Sequence, residues 1–229
     1  MRCLLAHDGK VFAGTDTDGV FASNGAGQPW TYLSAGLPSH AQVFALTAVR
    51  GRLFAGLYSR GLYAWDEQKY SWVKAGPVTP LALASVHDAL IAGHNPGGLY
   101  WSGDLGASWS KGVAAGHAVG PLVSLHSDDS GELSSEAPVW ELGSNDDDLV
   151  LAGAAAGIYY SEDRGRTWVR ARKGLPEKSP GIAFLLKRDF VLAGTLIEES
   201  NGEPDGPANG GQPISSETHG TPSAAGSRR

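Results

Sequence analysis

Short apolar runs separated by glycine or charged residues follow one another along most of the chain. Val43 to Val49, Arg52 to Leu57, Leu62 to Trp65 and Ser71 to Lys74 are four such runs in succession. They are rich in β-branched and aromatic residues, and their spacing of roughly 8–12 residues predicts short strands in an all-β fold. The pattern then repeats. Five runs end in Ala-Gly, at Gly14, Gly56, Gly93, Gly153 and Gly194, with intervals of 42, 37, 60 and 41 residues. After the first four, a second glycine opens another run: Gly19 to Ser23, Gly61 to Trp65, Gly98 to Ser102 and Gly157 to Ser161. Seven residues beyond the end of each stands a tryptophan, at Trp30, Trp72, Trp109 and Trp168.

A four-stranded unit of roughly 40 residues, repeated, is the unit of a β-propeller, in which each small twisted sheet packs on the next. A β-sandwich would have no reason to repeat one glycine–tryptophan spacing four times. The expected units are 3–38, 41–78, 80–116 and 137–176, with an incomplete fifth at 181–197, an acidic insertion at 114–138 and a tail at 198–229. This gives about four and a half blades in an incomplete or open ring. The fifth unit offers Gly181 to Leu186 and Phe190 to Thr195 as strands and then loses the pattern, which leaves an edge open to self-association.

Two units carry a complete turn between their third and fourth strands: Ser102, Asp104, Gly106, Ser108 and Trp109, and Ser161, Asp163, Gly165, Thr167 and Trp168. The aspartate can accept backbone N–H bonds across the turn, glycine supplies positive φ, and the tryptophan offers an apolar plate to a neighbouring sheet. The first unit keeps Ser23 and Trp30 without the aspartate. The second reads Trp65 to Trp72, with Glu67 in the aspartate place and Lys69 in the glycine place. The Ser-x-Asp-x-Gly-x-Thr-Trp pattern resembles the Asp-box, or bacterial neuraminidase repeat, of sialidases, xyloglucanases, sortilin-type receptors and photosystem II assembly factors. Gly36-Leu37-Pro38 and Gly174-Leu175-Pro176 are similar to connectors in that superfamily. The resemblance covers roughly residues 3 to 195 and implies a propeller whose Asp-boxes are structural turns away from any active site. The Arg-Ile-Pro element of the sialidases is absent, and no catalytic residue is assigned.

Composition narrows the class further. Glycine numbers 32 of 229 residues, charged residues are 18%, and seven tryptophans and seven tyrosines can build a core, which excludes a coiled coil and wholesale disorder. The net charge of −6 argues against nucleic acid, and no apolar run is long enough to span a membrane. From Glu198 onward the chain is Gly, Pro, Ser, Asn, Thr and Glu, a composition expected to be disordered. A lone Cys3 and the absence of a secretory apolar core make the cytoplasm the expected compartment.

The loops between second and third strands differ while their flanks repeat, as on a scaffold with specialised loops. Asp16, Asp18, Tyr58, Arg60, His94 and Asn95 on these loops are the candidate ligand-binding residues, for a protein or carbohydrate ligand on the loop face. The insertion brings His117, His126, Asp128 and Asp129 near one another in sequence, and Asp16-x-Asp18-Gly19 is a fragment of a calcium loop. Neither completes a ligand spacing, so no metal or other cofactor is expected. A non-catalytic binding or assembly scaffold is the first functional reading. The second is a divergent glycoside hydrolase, sialidase-like or xyloglucanase-like. The third is a truncated member of a larger family, a gene fragment without independent function.

Overall fold

The computed structural model describes residues 1–25, 27–94, 97–114, 138–145, 148–155, 157–171, 175, 181–186 and 191–195. The chain divides into Met1–Ile197 and Glu198–Arg229. Every described residue belongs to the first unit; the expected tail, most of the acidic insertion and Asn95 lie outside the described residues.

The described residues form strands and turns, with no helix. The first sheet is β1 (Cys3–His7), β2 (Lys10–Gly14), β3 (Val20–Ser23) and β4 (Trp30–Tyr32), in that order. The second is β5 (Val43–Val49), β6 (Arg52–Leu57), β7 (Gly61–Asp66) and β8 (Ser71–Lys74). The third is β9 (Pro80–Val86), β10 (Ala89–His94), β11 (Leu99–Ser102) and β12 (Ser110–Lys111). β13 (Val113–Ala114) then leaves that sheet and pairs parallel with the outer strand of the fourth: β14 (Val139–Ser144), β15 (Val150–Ala154), β16 (Gly157–Ser161) and β17 (Thr167–Arg170). β18 (Gly181–Leu186) and β19 (Val191–Thr195) make a two-stranded fifth sheet. The chain is therefore a β-propeller of four complete blades and a partial fifth, and its sheets are not closed into a ring.

The second, third and fourth sheets are apolar on both faces because each is sandwiched between neighbours. In β6, Leu53, Ala55 and Leu57 face the first sheet and join Phe12, Val20 and Val43, while Phe54 faces the third and joins Leu62, Leu83 and Leu90. A further cluster, with Ile91, Leu99, Leu142, Val150 and Trp168, fills the space between third and fourth sheets. Strand alternation thus divides the core into slabs, one for each pair of neighbouring sheets.

The repeated Ala-Gly has a packing cause. A Cβ placed on Gly14, Gly56 or Gly93 would lie 2.7, 2.8 or 2.7 Å from the side chain of Val43, Pro80 or Val139, the first residue of the next sheet's inner strand. The tryptophans act in the opposite direction, each plating the sheet before it. Trp72 donates its indole N–H to Leu33 O at 2.7 Å and its backbone N–H to Ala35 O at 2.7 Å. Trp109 lies against Gly76, and Trp168 lies against Gly112. Trp72 and Trp168 are each 2% exposed, whereas Trp30, with no described sheet before it, is 48% exposed.

Candidate functional site

The loop-side ends of the inner strands converge on a cavity of about 160 Å³, lined from β1, β5, β9 and β14. Three of these strands carry a bulge at their second residue. The register of β5 on β6 steps from Val43 to Ala45, that of β9 on β10 from Pro80 to Ala82, and that of β14 on β15 from Val139 to Glu141. A bulge inserts one residue that the ladder does not pair and re-aims its side chain. Phe44, Leu81 and Trp140 are these extra residues, and all three line the cavity. The fifth sheet repeats the step between Gly181 and Ala183.

The residue after each bulge is Ala45, Ala82 or Ala183 in three sheets and Glu141 in the fourth. Burial pushes the Glu141 carboxyl above its ordinary range. Burial also pushes the Cys3 thiol, across the same cavity, up to about 11, and the nearby Glu141 charge adds to that effect. Glu141 is the one carboxyl among the described residues that line this cavity. No group of three or more His, Cys, Asp and Glu side chains suited to a metal ion occurs among the described residues.

At the rim the structure assembles a ladder across the first two sheets. Arg2 donates from Nε to Asp16 Oδ1 at 2.8 Å, and its guanidinium lies 4.5 Å from the centre of the Phe44 ring. Phe44 in turn stacks on Tyr58 at 5.1 Å with planes 24° apart, and Tyr58 is 42% exposed. Asp16 and Tyr58 are thus joined through Arg2 and Phe44, neither of which the loop sequences indicate. The signal for Phe44 was the large residue set between Val43 and Ala45, repeated as Leu81 between Pro80 and Ala82.

The other loop residues are occupied differently. Asp18 Oδ2 accepts from Thr17 Oγ1 at 2.9 Å, and the Asp18 backbone N–H donates to Thr15 Oγ1, so this aspartate shapes its own loop. The Arg60 backbone N–H closes its turn onto Leu57 O. His94 Nε2 lies 3.1 Å from Thr79 Oγ1, its ring packs against Tyr100, and burial lowers its pKa. Asn95 lies outside the described residues.

On the opposite face, the two complete turns close on themselves. Ser102 Oγ, in a residue 1% exposed, accepts from Gly106 N at 2.9 Å and donates to Asp104 Oδ1 at 2.8 Å. Asp104 also accepts from Ser108 N at 2.8 Å and from Ser108 Oγ at 2.6 Å. Ser161, Asp163, Gly165 and Thr167 repeat each of these bonds, and Trp109 and Trp168 donate their indole N–H groups to Gly106 O and Gly165 O. The Ser108 hydroxyl and N–H hold Asp104 down to about 2. Both carboxylates are committed to local bonds rather than presented to a ligand. The second unit departs from this frame: Asp66, not Glu67, caps the turn, accepting from Gln68 N and Lys69 N at 3.1 Å each.

No family model matches the chain, and no curated protein matches it. Among solved structures it is similar to an ancestral GH74 enzyme, at 17% identity and a TM-score of 0.56 over 78% of this chain and 25% of that one. It is similar to YCF48 from Cyanidioschyzon merolae, at 15% identity and 0.53 over 83% of this chain and 66% of that one. It is also similar to BamB from Moraxella catarrhalis, at 16% identity and 0.54 over 85% of this chain and 54% of that one. The chain spans between 25% and 66% of these neighbours' lengths, and the likeness shows the propeller fold alone.

Proposed function

We propose that this chain is an Asp-box propeller that works as a non-catalytic binding scaffold, with the loop-side mouth as its contact face and a protein segment as its partner. The observation that carries the reading is the Asp16–Arg2–Phe44–Tyr58 ladder. It is preformed, it bridges two sheets, and it presents a cation, a carboxylate and an aromatic ring at one rim. Aromatic and arginine side chains held in place lose little entropy on binding, which is why they dominate protein contact sites. Asp104 and Asp163 are structural caps in this reading. Their hydrogen bonds close within the turn and lie on the face opposite the ladder.

Glu141 favours a second reading, a glycosidase. It is a raised-pKa carboxyl at the propeller axis, where the repeat otherwise has alanine. Such hydrolysis ordinarily uses a pair of carboxyl groups, and the described cavity lining holds one. One comparison separates the two readings. The purified chain and its Tyr58→Ala variant serve as baits in quantitative affinity mass spectrometry, while the chain and Glu141→Gln are assayed on chromogenic glycosides. The scaffold reading requires a protein enriched by the wild type and reduced about tenfold or more by Tyr58→Ala. Turnover of a glycoside that Glu141→Gln abolishes would replace it with the enzyme.

A further inference from the structure

The second unit breaks the repeat where the others need it for structure. Ser23, Ser102 and Ser161 stand seven residues before the tryptophan in their units, buried and bonded to their turns. The same place in the second unit is Trp65. Its turn is instead closed by Asp66, which accepts two backbone N–H bonds and pairs with Lys69 Nζ at 3.0 Å. That exchange releases Trp65, Glu67 and Tyr70 from turn duty, and all three line one cleft of about 490 Å³. The facing wall comes from the first sheet and includes His7, Lys10 and Asn24. The cleft lies at the hairpin and turn ends of the strands, away from the loop-side mouth.

We propose that this cleft binds a neutral saccharide. Its volume falls within the range of small-ligand sites, roughly 300–1,000 Å³. Trp65 is held by a T-shaped contact with the buried Trp72, ring centres 5.6 Å apart, so an aromatic wall is fixed before any ligand arrives. Tyr70, 77% exposed, extends that wall into solvent. A pyranose ring presents apolar C–H groups to such a surface and hydroxyls around its rim. The rim here supplies both kinds of partner: Lys10 and the Asn24 amide donate, and the Glu67 carboxylate and Asn24 carbonyl accept.

His7 Nε2 is buried with no hydrogen-bond partner among the described residues. Asp8 Oδ2 lies 3.3 Å from it, at ion-pair distance. Charge selects the neutral class: Lys10 is accompanied by Asp8 and Glu67, so an anion would meet net repulsion.

The test uses the full chain, with binding followed by tryptophan fluorescence and saturation-transfer NMR. Its probes are neutral oligosaccharides of about two to four sugar units, sized to the cleft, together with one carboxylated and one sulfated oligosaccharide. At least one neutral probe is expected to bind. Its affinity should fall about tenfold or more in Trp65→Ala and about threefold or more in Glu67→Gln and Tyr70→Ala. Asp88→Asn, on a hairpin outside the cleft, should leave it unchanged. The two surface variants decide the matter if Trp65→Ala does not fold. The proposal is overturned if no neutral probe binds, if a charged probe is preferred, or if Glu67→Gln and Tyr70→Ala bind as the wild type does. It is equally overturned if Tyr58→Ala, at the loop-side mouth, abolishes the binding. That last result would place the saccharide at the mouth and count against a protein segment as its partner, whereas the other overturning results leave the scaffold reading untouched.

Discussion

Replacing Gly93 with alanine tests whether the Ala-Gly repeat is a packing requirement between sheets. The new Cβ would lie 2.7 Å from Val139 Cγ1, 2.8 Å from its Cβ and 2.9 Å from its carbonyl oxygen. Carbon contacts are comfortable at about 3.5–4.0 Å, so the third and fourth sheets must part by roughly 0.7–1.3 Å along that line. Two of the three atoms are backbone or Cβ, and a rotamer change at Val139 relieves only the first. Overpacking of this kind costs about 1–3 kcal/mol. The smaller unfolded-state entropy of alanine returns about 0.4–1 kcal/mol, since Gly93 is not in a left-handed conformation. At mid-range values the net loss is about 1.3 kcal/mol, which lowers Tm by roughly 3–5 °C in a domain of this size. Gly103→Ala is the matched control, because its Cβ would meet only Trp101 Cζ3 at an ordinary 3.7 Å and its φ is also unstrained. Thermal unfolding followed by circular dichroism compares the two. Equal melting temperatures within about 1 °C would refute the packing argument.

The turns make two further expectations. Ser161→Ala leaves the buried Gly165 N–H without its acceptor and should destabilise the chain by about 1–3 kcal/mol in urea unfolding, with Ser108→Ala, on an exposed hydroxyl, costing less. Asp104 should titrate near 2 by carboxyl NMR, well below the unfolded value of about 3.9. Its folded pKa is depressed, so its contribution to stability is present above the unfolded value and is lost as pH falls through the folded one. Ser108→Ala should move that midpoint upward, and an unchanged midpoint would show that the hydroxyl is not what holds it down.

The inner and middle strands were legible because both faces are buried and glycine or charge marks their ends. Val43–Val49 and Arg52–Leu57 run between the limits that the apolar pattern sets. β13 was not legible: two residues carry no period, and their pairing with β17 depends on a partner more than 50 residues away. The same physics hid the centre of the candidate site. Arg2 and Phe44 acquire their roles through contacts between sheets, with Asp16 and Tyr58, which no local pattern encodes. The bulges left a faint trace in the recurring large residue before alanine, and Glu141 stands out only once that recurrence is aligned. The loop positions stand out in the sequence only by their variation, which does not distinguish Asp16, joined to the ladder, from Asp18, which folds back on its own loop.

The glycine and tryptophan contacts give the array a polarity, like that of a chain of couplings with distinct ends. Each of the first three sheets offers a notch forward and receives a plate from the sheet that follows. A nearest-neighbour lattice of this kind gains stability one joint at a time. It contains no residue that counts the blades, because every joint is local. The number of sheets in such a molecule is then set by the angle at which one joint turns the next, and the exposed Trp30 is a coupling of the same type with its mate not engaged among the described residues. A single sheet bearing the forward glycine notch, grafted ahead of β1, is the natural substrate for that coupling.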